Sequence, residues 1–125
     1  MVGRPFLLHG RNPETGLDCV GLVAACLTRI GRVPLTPSGY RLRNRTIEKW
    51  LDCAERSGLE RVSGPLLPAD IVLVSPAAGQ HHLLIIEHAG RVIHAHAGLG
   101  RVVSQPIDDH LRKIMQWRLA SRKEA

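Results

Sequence analysis

Aromatic side chains are scarce in this chain: Phe6, Tyr40, Trp50 and Trp117 are the four among 125 residues. A core built almost without them has to be aliphatic, and a 44% hydrophobic content supplies the Leu, Ile, Val and Ala for it. Long apolar runs are lacking too. None approaches the ~20 residues of a membrane-spanning helix, so no membrane span is expected. The N-terminal MVGRPFLLHGR has too short an apolar stretch for a secretory signal and no evident small-residue cleavage site. The chain is therefore expected to be cytoplasmic when synthesised. Cysteines number three, an odd count that argues against a disulfide framework. If Cys19 and Cys26 share a helix, they are separated by about 10 Å of rise, beyond a disulfide's reach. Repeats, low-complexity tracts and linkers are missing as well, and the length suits a single domain over residues 1–125.

What is in excess is positive charge: 17 Lys and Arg against 11 Asp and Glu, a formal net charge of +6. Such a balance favours an anionic partner in general. The arginines are scattered, apart from Arg41, Arg43 and Arg45 and a basic tail, and nucleic acid is not the partner expected.

Gly3, Pro5, Gly10, Pro13 and Gly16 make the first 17 residues irregular. Asp18 then stands before CVGLVAACLTRI, with Gly31 and Pro34 after it, which predicts a capped helix from Cys19 to Ile30. That helix is apolar almost all round, hence buried. A second helix is expected over Thr46–Ser57. After Pro68 the texture turns to Val- and Ile-rich runs at Asp70–Ser75, His82–Glu87, Arg91–His96 and Gly100–Ser104, each a strand. A short helix over Ile107–Ile114 and a closing strand over Gln116–Ala120 complete the reading. The fold class is α+β, with N-terminal helices packed on a mainly antiparallel sheet of about five strands.

Two features carry chemistry. Cys19 falls in the first turn of the buried helix, where the helix dipole and free N–H groups stabilise a thiolate; Asp18 beside it works the other way. Cys26 and Cys53 lie inside helices and read as structural. Five of the seven histidines fall between positions 81 and 96, on two adjacent strands. His82, Leu84 and Ile86 share one face of the first strand; Val92, His94 and His96 share one face of the second. A two-residue loop at 89–90 puts His82 and His94 on opposite sheet faces. A three-residue loop at 88–90 puts them on the same face, with His82 opposite His96 and diagonal to His94. In that register an imidazole could serve a thiolate as base, with His94 or His96 fixing its tautomer. The same side chains are also good zinc geometry, and a purely structural cluster is the third option.

The chain resembles the NlpC-type cell-wall cysteine peptidases, a compact branch of the papain fold. GRPFLLHGRNPETGLDCVGLV (residues 3–23) is similar to the family's Gly-Thr-Pro-Tyr-x-Trp-Gly-Gly…Gly-x-Asp-Cys-Ser-Gly-Leu-Val signature. ADIVLV and HLLIIEHAGRVIHAHAG (His82–Gly98) are similar to its Gly-Asp-Leu-Val…His-Val-Gly-Ile-Tyr…Val-Ile-His-Ala stretch. The resemblance implies a papain-like core with Cys19 as nucleophile, His82 as base and His94 as the third catalytic residue. It places Asp18, Phe6 and His96 on the substrate side. It implies hydrolysis of amide bonds in peptidoglycan stem peptides, between γ-D-glutamate and a diamino acid, with neither metal nor cofactor.

Three departures stand out: Phe6 for the family's Tyr, Val20 for the Ser after the cysteine, and Leu8–His9 for Trp-Gly. The HAHAG variant looks most like short prophage and gene-transfer-particle members, which implies delivery to the cell wall by a phage tail or tail-like particle and contact with its proteins, or else release by cell lysis. Two alternatives stay open: a zinc hydrolase using His82, His94 and His96, and a non-catalytic tail-assembly module on the same fold.

Overall fold

Asp18 does what its position predicts. In the computed structural model, which describes residues 1–32, 34, 53–75, 81–88, 90–108 and 111–119, its carboxylate caps helix α1 (Cys19–Arg29) by accepting the Gly21 N–H at 2.8 Å. The first half of α1 is buried, through Val20, Leu22 and Val23. Before the helix, a two-stranded ribbon, β1 (Arg11–Asn12) and β2 (Gly16–Leu17), folds back on itself. It packs tightly because side chains are missing. A Cβ on Gly21 would lie 1.9 Å from the Gly10 carbonyl oxygen, and one on Gly10 would lie 2.2 Å from that of Gly16.

The rest is sheet. β3 (Leu59–Arg61), β4 (Ile71–Ser75), β5 (His82–His88), β6 (Arg91–His96), β7 (Arg101–Pro106) and β8 (Arg112–Leu119) form one six-stranded sheet in the order β3-β8-β4-β5-β6-β7. Every pairing in it is antiparallel. The strand alternation sorts the core into two sides. Leu73, Leu83 and Trp117 pack with Val20, Val23 and Leu27 of α1. Val72, Val74, Leu84, Ile86 and Val92 cluster on the opposite face, with Leu66, Ile107 and Leu111 against them. Each such aliphatic side chain, once buried, contributes roughly 1.5–3 kcal/mol.

The expected architecture needs correction on two counts. The sheet has six strands, not about five, and strands rather than helices dominate the described residues. Of the predicted helix over Thr46–Ser57, residues 53–56 are helical and the earlier part lies outside the described residues. The predicted helix over Ile107–Ile114 is not found among its described residues: Arg112–Ile114 are the start of β8, and 109–110 lie outside the described residues. The cause is a bulge. β8 pairs Met115 with Leu73 but Lys113 with Val74, so Ile114 is the extra residue. Ile107, Leu111, Ile114 and Met115 imitate a helical stripe in sequence, yet the first two pack on one face of the sheet and the last two on the other.

Candidate active site

The β5–β6 hairpin decides whether the histidines can meet. Its body pairs Ile85 with Ile93 and Ile86 with Val92, the register that puts His82 and His94 on one face. Its end pairs His88 with Arg91, leaving two residues between the strands. A bulge at Glu87 absorbs the difference. The odd offset that the chemistry needs is therefore present, but it is produced by a bulged residue and not by a three-residue loop. Gly90, at φ +78°, takes the left-handed position beside it.

On that face the two rings touch. His82 Nε2 lies 2.8 Å from His94 Nδ1, with the rings edge to face. His94 is 7% exposed, and its other nitrogen, Nε2, has no hydrogen-bond partner. The His96 ring lies 5.4 Å from that of His94, centroid to centroid, and its Nδ1 accepts the Leu99 N–H of the following turn at 3.1 Å. His94, not His96, bonds His82.

Cys19 reaches this group at the end of β5. Leu83, on the helix side of the strand, gives its backbone N–H to the Cys19 sulfur. The residue before it, His82, turns into a cavity of about 360 Å³ that Cys19 also lines. Phe6, Leu84, His94, His96 and Gln105 form further parts of that wall, and Asp108 and Leu111 reach it from the segment before β8. Phe6 is held there by its own N–H, which donates to the Gly100 carbonyl at 2.8 Å.

Asp18 is placed differently from the substrate-side position expected of it. It is 1% exposed, is absent from the cavity wall, and is engaged inside the fold. Its carboxylate accepts from the Gly21 N–H, from the His9 N–H at 2.8 Å and from Arg11 Nη1 at 3.1 Å. The His9 bond holds that residue in a left-handed conformation at φ 62°. This carboxylate ties the N-terminal segment to the start of α1.

The electrostatics leave both reacting groups neutral at rest. Burial pushes the Cys19 thiol up to about 12, with Asp18 adding to the effect and the backbone N–H groups of Leu83, Val20 and Cys19 opposing it. Burial, then His94 and His96, push His82 down to about 4, with Asp18 opposing. Asp18 thus raises both partners together. Transfer of a proton from sulfur to imidazole depends on the difference between them, so its charge largely cancels in that step.

No family profile and no curated protein matches this chain. A solved structure does. The crystal structure of the NlpC/p60 domain of the peptidoglycan hydrolase SagA superposes with a TM-score of 0.59 at 19% identity, over 94% of this chain and 89% of that one. The fold is that of an NlpC/p60 domain. On this NlpC/p60 fold the structure brings Cys19, His82, His94, His96 and Phe6 to one cavity and leaves Asp18 beneath it. Among the described residues no group of three or more His, Cys, Asp or Glu side chains is disposed to hold a metal ion. Sequence reasoning missed Gln105 and Asp108. Neither belongs to a motif, and only the β6–β7 pairing of Val92 with Gln105 reveals that Gln105 faces the histidines.

Proposed function

We propose that the protein is a cysteine endopeptidase acting on peptidoglycan stem peptides, with Cys19 as nucleophile, His82 as base and His94 as the residue that orients it. The observation that carries this reading is the 2.8 Å bond between the His82 and His94 rings beside a thiol at the start of a buried helix. His82 Nε2 is committed to His94, which leaves Nδ1 for the thiol. As the sulfur attacks the scissile carbonyl carbon, its proton passes to His82. The oxyanion is met by the Cys19 N–H at the start of α1. His82 returns the proton to the departing amine as the C–N bond breaks. A water molecule, deprotonated by the same ring, then releases the acyl group from sulfur.

The name of SagA as a peptidoglycan hydrolase supports a cell-wall substrate for the shared fold. The γ-D-glutamyl–diamino acid bond and delivery by a phage-like particle are the finer parts of the proposal, and both rest on the resemblance of the motifs. The formal charge of +6 suits an anionic wall polymer.

Digestion of purified peptidoglycan, with fragments identified by mass spectrometry, tests the whole reading. Wild type should release peptides cut after γ-D-glutamate; Cys19→Ala should release none. Iodoacetamide should abolish the activity and a chelator should leave it intact. The reverse pattern would move the assignment to a His-ligated zinc hydrolase. No fragments from wild type would favour the non-catalytic assembly module.

A further inference from the structure

The bond between the two imidazoles has a direction, and the direction requires a third group. For His82 to accept the thiol proton at Nδ1, its own hydrogen must sit on Nε2. His82 Nε2–H then donates to His94 Nδ1, so His94 must carry its hydrogen on Nε2. That nitrogen is buried and makes no well-formed hydrogen bond. A buried donor left in this state is disfavoured. In the opposite tautomer Nδ1–H of His94 donates to His82 and His94 Nε2 is a buried acceptor without a donor, which is disfavoured as well. That tautomer also forces the hydrogen of His82 onto Nδ1, where it blocks acceptance from sulfur. Which arrangement wins therefore depends on whether His94 Nε2 meets an acceptor or a donor.

Gln105 is placed to decide between them. β6 and β7 pair Val92 with Gln105 and His94 with Val103. Gln105 and His94 are thus diagonal neighbours on one face of the sheet, within reach of a long side chain. Both line the cavity that Cys19 and His82 line. Gln105 is partly exposed, and its unbranched side chain is long enough to span that diagonal. Building on the proposed catalytic reading, we propose that Gln105 is a positioning residue: its side-chain carbonyl accepts the His94 Nε2 hydrogen and so locks both imidazoles in the tautomers that leave His82 Nδ1 free for the thiol. Burial drives the protonation of His94 down, and the Gln105 side chain opposes that by hydrogen bonding, as an acceptor facing this ring does.

The test uses the full chain with ¹⁵N-labelled histidine rings, the His94 signals being assigned by their loss in His94→Gln. Wild type should show hydrogen on His94 Nε2. Gln105→Met, which keeps the length and removes the acceptor, should give a mixture of tautomers. With a stem-peptide substrate it should lower kcat about 10-fold and leave KM within about twofold, since a lost acceptor of this kind is worth about 1.4 kcal/mol. Gln105→Glu restores an acceptor and should bring kcat back to within about threefold of wild type. Hydrogen on His94 Nδ1 in wild type would overturn the assignment, and so would Gln105→Met with unchanged tautomer and unchanged kcat. The ring signals need no turnover. A wild type with hydrogen on His94 Nε2 and no hydrolysis would keep the relay and sink the proposed reaction.

Discussion

The two ends of the β4–β5 ladder treat buried polar groups in opposite ways. At one end, Asp70 is 0% exposed and fully engaged. Arg118 grips it through Nε at 2.8 Å and Nη2 at 2.9 Å, Gln116 donates at 2.9 Å, and the Leu67 N–H donates at 3.0 Å. Burial alone would raise its pKa, but these donors outweigh burial and hold the carboxyl below its ordinary value. At the other end, where Val74 pairs with His82, the imidazoles face each other, with one nitrogen unpartnered. No carboxylate bonds their rings among the contacts described, and their protonation is pushed down. A satisfied buried charge is a clamp. An underserved pair of titratable rings beside a thiol is stressed in the way that active sites are.

Substitution should separate the two ends cleanly. His82→Ala should cut hydrolysis roughly a thousandfold or more, since members of a nucleophile–base unit fail together, while the melting temperature moves by only a few degrees. Asp70→Ala should do the opposite. It removes the acceptor of the part-buried Leu67 N–H and strands the buried Gln116 amide, a loss of about 1–3 kcal/mol for the buried donor, and should lower the melting temperature by about 5–10 °C. At low temperature it should retain most of its activity. Thermal melts and peptide release on the same samples check both. An Asp70→Ala protein that is stable but inactive would erase the distinction.

Acid should unfasten the two ends in order. His82 has its folded value depressed from 6.5 to about 4, so its contribution is present above 6.5 and is lost as pH falls toward 4. That 2.5-unit difference amounts to about 3 kcal/mol, and His94, also lowered, adds in the same direction. Asp70 is depressed below its ordinary 3.8, so its share holds above that value and goes only at lower pH. Urea midpoints from pH 8 to 3 should show two declines, with His82→Gln weakening the first and Asp70→Asn the second. A single decline below pH 4 in wild type would contradict the account. On the alkaline side, Cys19, raised from 9.0 to about 12, should withdraw stability as pH climbs from 9 to 12, and Cys19→Ala should flatten that limb.

How much of this was legible in the sequence depends on how local the signal is. The helix over Cys19–Arg29 was readable because its cap, apolar run and glycine stop lie within 14 residues. β6 was readable to the residue, since RVIHAH carries Val92 and Ile93 and is bounded by Gly90 and Gly98. Two features hidden from the sequence are bulges. At Ile114 an extra residue broke the alternation of β8 and made a strand look helical. At Glu87 an extra residue supplies, with a two-residue loop, the offset that a three-residue loop would otherwise have to give. A bulge is set by the partner strand, and no single segment announces it. The candidate site divides along the same line. Cys19 and the histidines stand in motifs, whereas the buried role of Asp18 depends on His9 and Arg11 folding back over it. Gln105 enters only through strand pairing.

The smallest expected effect lies within the histidine cluster and separates its two outer members. His94 bonds His82 directly, while His96 is bonded by the Leu99 N–H of its own turn and only neighbours His94. Replacing His94 by Ala should cost about 10- to 100-fold in kcat, the range for losing an orienting hydrogen bond to a base. His94→Asn, which keeps an acceptor and a donor, should recover part of the loss. His96→Ala should cost no more than about threefold in kcat. It removes one imidazole whose charge pushes His82 protonation down, so the acid limb of the rate profile should move slightly to higher pH. The sign follows from which form is active: His82 must be neutral to accept the thiol proton, and an easier protonation removes that form at a higher pH. Rate profiles for the three variants decide the matter. Were His96→Ala to cost as much as His94→Ala, the orienting role would belong to the pair, and the 2.8 Å contact alone would not explain it.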